Sequence, residues 1–218
     1  MEERSAQLFV GLPPEKIEVI RSAAHLLEYP EGSRIYAQGD SAEGLYGLWQ
    51  GVVKEISLDG RGHLRWLRLL GAGELLGSGE VLCAVPQSHT AIALRRSQLF
   101  WLSQEDFRAM AREHAEVALW VARHMAQQLC RLRTALAQRA YTESAVRLTE
   151  ALRRVAQEFG TVTEHGCLID LDLSRDEWAA LVGIAPETVS RVLHQLAERG
   201  VIELQGRRIL LKSAVLSG

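Results

Sequence analysis

Between about Glu28 and Leu102 the apolar residues come in short runs, "RIYAQ", "LYGLWQ", "VVKEISL", "LRWLRLL", "TAIAL" and "QLFWLS". Glycines at 32, 39, 44, 47, 51, 60 and 62 punctuate the first part of this zone. Runs rich in β-branched and aromatic residues, bounded by turn formers, predict strands, and this many predict a sandwich or barrel. The Asp59-Gly60 step between "KEISL" and "HLRWLRL" predicts a hairpin, with glycine accepting the positive φ of a tight return. From Ser103 to about Ala140 no proline or glycine occurs and Ala, Arg, Gln and Leu dominate, which predicts one uninterrupted helix. Ser103, followed three residues later by Asp106, supplies its N-cap.

Within that helix Val117, Val121, Met125 beside His124, Gln128, Leu132, Ala135 and Leu136 recur at spacings of three and four. The stripe predicts a seam for a partner helix, supplied by a second copy of the chain. Packing of its first half onto the β-rich zone is the alternative.

From Tyr141 onward the local signals are denser. Ser174 and Glu177 form a capping box for "RDEWAALV", which Gly183 stops, and Pro186 suits the first position of a following helix whose first turn carries Glu187. On this second helix Val189, Val192, Leu193 and Leu196 share one face, and Glu187, Ser190, Arg191 and His194 the other. Ala179, Gly183, Val189 and Val192 stand where two helices joined by a tight corner need small, turning and buried residues, a helix-turn-helix. "VIELQGRRILL" then predicts two strands around Gln205-Gly206, a wing whose Arg207 and Arg208 can lie against phosphates.

Composition narrows the reading. The chain has 218 residues, 47% hydrophobic and 24% charged, enough for one or two domains with a proper core. No apolar run of membrane length occurs, and "MEERSAQLFVGLPPEK" is not a basic-then-apolar leader, so a cytoplasmic protein without a membrane partner is expected. Cys83, Cys130 and Cys167 are far apart and form no C-x-x-C, which predicts reduced thiols and no metal site. The formal net charge is -2. Nucleic-acid binding must then rest on the placement of a few basic groups. The second helix offers such a placement: Arg191 can donate two bonds to a guanine edge, Glu187 can accept from a cytosine amino group, and Ser190 can reach thymine. No H-x-H pair, Ser-His-Asp pattern or nucleophile elbow appears, so no catalytic residue and no enzymatic activity are expected.

The residues "QGD" from Gln38, "GLYGLWQGVVK" from Gly44, "GELLG" from Gly73 and "GIAPETVSRVLHQLAERGVI" from Gly183, in that order, resemble the CRP/FNR superfamily of bacterial transcription regulators. The resemblance spans nearly the whole chain. It implies an α+β fold: an N-terminal antiparallel β-roll (double-stranded β-helix) with flanking helices over 1–114, a dimerisation helix over 115–140, and a C-terminal winged helix-turn-helix over 141–218. It implies DNA contacts by Glu187, Thr188, Ser190, Arg191, His194, Arg207 and Arg208, and a dimer interface at Val117, Val121, Met125, Gln128, Leu132 and Leu136. The implied partners are double-stranded promoter DNA, a second copy, RNA polymerase for an activator, and a small-molecule effector. Serine ahead of Arg191 resembles the fumarate-and-nitrate-regulator branch, which implies an inverted site of TTGAT and ATCAA.

For the effector, the departures are informative. Members that bind cyclic AMP carry a G-E step whose glutamate takes the ribose hydroxyl and an R-S pair whose arginine meets the cyclic phosphate. Here the matching positions are Gly77-Ser78, with Glu80 two residues beyond, and "VPQSHTAIAL", which has no arginine between Cys83 and Leu94. Leu132-Arg133 stand where such members carry Thr-Ser. The implied pocket is Gly77, Ser78, Glu80, Ser88, His89, Thr90, Leu132 and Arg133. A buried phosphate there lacks a cationic partner at a cost on the order of several kcal/mol, so cyclic AMP is not expected. An iron-sulfur cluster is disfavoured because residues 1–82 contain no cysteine. Haem stays open, with His25, His63, His89, His114 and His124 as candidate axial ligands, alongside an unidentified small molecule or no effector.

Overall fold

The computed structural model describes residues 8–141 and 143–212, with side chains from 135 to 141 excepted. The chain forms two compact units: one is the chain up to Ser57 with Arg68–Arg133, the other Leu58–Leu67 with the chain from Thr134 onward. Among the described residues no helix is long and apolar enough to cross a membrane.

The first unit is the β-roll. Its elements are α1 (Pro14–Ala23), β1 (His25–Tyr29), β2 (Arg34–Tyr36), β3 (Gly44–Gln50), β4 (Val52–Leu58), β5 (Leu64–Gly71), β6 (Leu75–Leu76), α2 (Ser78–Cys83), β7 (Thr90–Ala93), β8 (Ser97–Ser103), α3 (Gln104–Glu113) and α4 (Ala115–Tyr141), of which Leu58, Leu64–Leu67 and α4 from Thr134 belong to the second unit. The strands form two sheets, β1-β8-β3-β6 and β2-β7-β4-β5. Tyr36, Leu48, Val53, Leu70, Leu76, Ala91 and Leu99 fill the space between them. Successive side chains of a strand point to opposite faces. Leu48 and Leu99 therefore face the other sheet, while Leu45, Phe100 and Leu102 face outward into a second core. A sheet covered on both sides explains why "LYGLWQ" and "QLFWLS" read as nearly continuous apolar runs. Gly47 permits the closest approach in this layer, since a Cβ there would lie 2.1 Å from the Phe100 ring.

Helices build the second core. Ile20 of α1, Phe107 of α3, and Val117, Trp120 and Val121 of α4 close over Leu8, Phe9 and Leu12. Trp120 stacks on Phe9 with centroids 5.8 Å apart, and its indole N–H donates to the Leu8 carbonyl at 2.6 Å. Two expectations are corrected by this core. The helix from Ser103 is interrupted: α3 ends at Glu113, His114 takes an extended conformation (φ -133, ψ 98), and α4 restarts at Ala115. Burial of Phe107 and Trp120 against the same sheet requires the change of direction, and no glycine or proline marks it. Val117 and Val121 do not form a partner seam, because their own unit covers them to 0% and 1% exposure. Met125 packs half-buried against the same core. Leu132 is exposed, and Ala135 and Leu136 lie outside the residues whose side chains are described. The Ser103 cap is present, its hydroxyl accepting from the Asp106 amide at 3.0 Å.

The β4–β5 hairpin turns through Asp59–His63. Asp59 Oδ1 accepts the Arg61 and His63 amides, each at 2.9 Å, and the His63 amide leads the contacts that hold its carboxyl well below the usual range. The positive φ falls on Gly62 (φ 82) instead of Gly60.

In the second unit, α5 (Ser144–Phe159), β9 (Thr161–Thr163), β10 (Gly166–Ile169), α6 (Arg175–Val182), α7 (Pro186–Glu198), β11 (Ile202–Gln205) and β12 (Arg208–Lys212) follow in order. The wing is larger than two strands: the sheet runs β11-β12-β10-β9. Leu148, Leu152, Trp178, Val189, Val192, Leu193, Ile209 and Leu211 are buried.

Truncating Trp120 to alanine should lower unfolding free energy by about 3–5 kcal/mol, read from urea denaturation of the full chain. A loss below about 1 kcal/mol would show that the indole does not anchor α4.

Candidate functional site

The helix-turn-helix is set by local chemistry. Ser174 Oγ accepts the Glu177 amide at 3.2 Å, and Glu177 Oε2 accepts the Ser174 amide at 2.9 Å, a reciprocal cap for α6. Gly183 ends that helix in the left-handed region (φ 73, ψ 47), its N–H donating to Ala179 O at 2.7 Å. Ala185 is extended and Pro186 opens α7. Val189, Val192 and Leu193 are buried and Leu196 is half-buried, which leaves Glu187, Arg191 and His194 exposed and Thr188 and Ser190 half-buried. His194 Nδ1 lies 3.2 Å from the Ser190 carbonyl oxygen. Four functional groups are thereby displayed along one solvent-facing stripe of α7. In the wing, Gly206 (φ 67) and Arg207 make the turn between paired Gln205 and Arg208. Both wing arginines carry carboxylate partners: Arg207 Nη1 lies 3.4 Å from Asp172 Oδ2, and Arg208 Nε 2.8 Å from Asp170 Oδ1. No partner for the Arg191 guanidinium is seen among the described residues.

In the β-roll, the polar positions read from the sequence come together only in part. Gly77 is the left-handed N-cap of α2 (φ 69), and Ser78 is buried in its first turn. It is Glu80, in the Gly79-Glu80 step, whose carboxylate accepts the Ser88 hydroxyl, with His89 Nδ1 2.6 Å from Ser88 Oγ and 3.9 Å from Glu80 Oε1. Thr90 Oγ1 accepts the Gln38 amide at 2.9 Å. The residues of α4 that reach the roll are His124 (Nε2 3.2 Å from Gly73 O), Gln128 (Nε2 donating to Leu75 O at 3.1 Å) and Arg131 (Nη1 donating to Glu74 Oε1 at 2.9 Å). Leu132 and Arg133, one helical step further round, are exposed instead. Gln128 is thus committed to its own roll.

The sequence reading missed the polar group at the heart of the roll. Glu55 on β4 is buried, accepts the Tyr36 hydroxyl at 2.8 Å and lies 3.7 Å from Arg68 Nη1. Arg68 Nη2 also donates to Glu74 Oε1 at 2.8 Å, so Glu74 joins Arg68 to Arg131. Burial pushes the Glu55 carboxyl up against the opposing influence of Arg68 and Tyr36, and burial, then Glu55, pushes the Tyr36 phenol well above its ordinary value. Period-two counting from Val53 places position 55 inward, the signal that would have found it.

Among the five candidate axial histidines, buried His124 has both ring nitrogens facing carbonyl oxygens, of Trp120 at 3.0 Å and Gly73 at 3.2 Å. His63, His89 and His114 lie against Asp59, Ser88 and Lys16, and His25 stacks on Trp101. His124, with both ring nitrogens so engaged, does not fit as a haem ligand. Among the described residues no group of three His, Cys, Asp or Glu is arranged for a metal ion. Cys83 and Cys130 are exposed free thiols and Cys167 a buried one.

Residues 26–114 match the cyclic nucleotide-binding domain family, and residues 125–214 the Crp-like helix-turn-helix domain family. The chain is 33% identical over 213 residues to the cyclic AMP receptor protein of Thermus thermophilus, spanning 98% of this chain and 95% of that one. It is 27% identical over 211 residues to a CRP-like cAMP-activated global transcriptional regulator of Mycobacterium tuberculosis, spanning 96% and 93%. A solved CRP-family transcriptional regulator of Thermus thermophilus superposes with a TM-score of 0.74 at 28% identity, over 87% of this chain and 94% of that one. The c-di-GMP responsive global regulator CLP of Xanthomonas campestris shares the fold, with a TM-score of 0.79 at 20% identity over 92% and 100%.

Glu55 gives a signed pH dependence. Its folded-state affinity for a proton exceeds the unfolded one, so its contribution to stability is complete below about 4.5, the unfolded value, and is lost as pH rises through the raised value. Urea midpoints taken from about pH 4 to about pH 7 should therefore fall for the native chain relative to Glu55→Gln. Parallel curves would show that the carboxyl is not raised.

Proposed function

The chain belongs to the CRP/FNR family of transcription regulators, and from that premise we propose that it binds a two-fold-related promoter site as a homodimer, with Arg191 reading a guanine in each half-site. The observation that carries this reading is the exposed Arg191 guanidinium, without a partner among the described residues, on the second helix of the helix-turn-helix, flanked by Glu187 and Ser190. A guanidinium so placed donates in parallel to guanine O6 and N7, the carboxylate accepts from cytosine and the hydroxyl reaches thymine. By likeness to the fumarate-and-nitrate-regulator branch, the site is TTGAT and ATCAA in inverted order. RNA polymerase is the further partner this reading calls for.

The dimer seam proposed from the structure differs from the stripe first expected. Leu119, Leu129 and Leu132 are exposed to 64%, 48% and 44%, and Ala118, Ala122 and Ala126 lie between them on the solvent side of α4. Apolar positions repeating at three and four along a helix, with small residues among them, suit close helix pairing.

For the sensor, the Thermus and Mycobacterium relatives are named for cyclic AMP. Against that ligand here stand the lack of arginine between Cys83 and Leu94, and a Glu80 already engaged by Ser88. We propose an effector other than cyclic AMP, or none. Titration calorimetry with cyclic AMP should give no saturable heat, and a saturable signal would overturn this part.

Fluorescence anisotropy tests the DNA reading. Arg191→Ala should cost about 1–3 kcal/mol on a duplex carrying TTGAT and ATCAA and blur its preference at the guanine. Equal losses on matched and guanine-substituted duplexes would refute the role of Arg191, and a footprint without two-fold symmetry would refute the dimer.

A further inference from the structure

Building on the regulator reading above, we propose that Asp170 and Asp172 are affinity-setting residues that occupy the wing arginines and so keep Arg207 and Arg208 from contributing fully to phosphate binding. Sheet register creates the arrangement. β10 pairs with β12 as Leu168↔Leu210 and Ile169↔Ile209, so the next step along the two strands sets Asp170 beside Arg208. Beyond β10 the alternation continues: Ile169, Leu171 and Leu173 are buried, and Asp170 and Asp172 face outward between them. Asp172 adopts a left-handed conformation (φ 46), and its carboxylate meets Arg207 at the wing turn. Each arginine that would meet a phosphate is thus matched to one carboxylate, at 3.4 and 2.8 Å.

The consequence follows from counterion release. An arginine that neutralises a phosphate frees the cations condensed there, and each such contact steepens the salt dependence of binding by about 0.9 in log–log slope. An arginine already paired must exchange one anion for another, so the carboxylate contact it gives up offsets part of what the phosphate supplies. Such a wing adds little to sequence-independent binding. Discrimination falls to α7, where Arg191 has no such partner among the described residues.

The test uses the full chain with Asp170→Asn and Asp172→Asn, singly and together, and the same changes in an Arg207→Ala/Arg208→Ala background. Asparagine tolerates the left-handed conformation, and thermal melts check that each variant is folded. Anisotropy is recorded on the operator and on a scrambled duplex between about 50 and about 200 mM salt. The double asparagine variant should bind both duplexes about three- to tenfold more tightly at the lower salt, with a slope steeper by about one to two. The ratio between the duplexes should stay as it was, and the gain should vanish in the alanine background. Unchanged or weaker binding by the asparagine variants overturns the proposal, as does a gain that persists without the arginines, since that would be removal of negative charge alone. A native chain that binds neither duplex would instead strike the regulator reading.

Discussion

The seating of Trp120 between Phe9, Phe100 and the Leu8 carbonyl is the contact on which the rest of the first unit turns, because it fixes the rotational phase of α4. A helix has one degree of freedom about its axis that sequence periodicity leaves ambiguous when two stripes are apolar. With the indole buried, His124, Gln128 and Arg131 are carried toward the turn at Gly73–Leu75, and Leu119, Ala122, Ala126 and Leu129 are carried away from it. The same contact therefore decides which residues hold the helix to its roll and which are left exposed.

The polar groups of the roll show a second constraint. Glu55 is a carboxyl taken out of water, and Tyr36 and Arg68 offset the effect of burial only in part, so its affinity for a proton is raised. Arg68 and Arg131 meet on Glu74, which joins the sheet containing β5 to α4 through one carboxylate.

What was legible in the sequence was local. The Ser174 capping box, the Gly183 stop and the Pro186 start are each fixed by the conformational preference of one residue, and the structure shows all three. The β-roll was legible from its apolar runs and glycines, as was the wing turn at Gly206. What was not legible depends on packing between distant segments. The break at His114 has no glycine or proline to announce it. Val117 and Val121 match a partner seam as well as Leu119 and Ala122 do, and only the presence of the sheet distinguishes them. Two glycine steps two residues apart, Gly77-Ser78 and Gly79-Glu80, look alike in sequence, and only the start of α2 shows that Ser78 is buried in its first turn. The same holds for Gly60 and Gly62 in the hairpin.

The two sheets of the roll differ in how they are covered, and this separates mechanics from chemistry. In the β1-β8-β3-β6 sheet, β3 and β8 have buried residues on both faces and carry the helical layer, so most of their side chains are committed to shape. Tyr36, Glu55 and Arg68 all belong to the other sheet. Exchanging those few polar side chains would change the chemistry inside the roll while the platform that supports the helices is left as it stands.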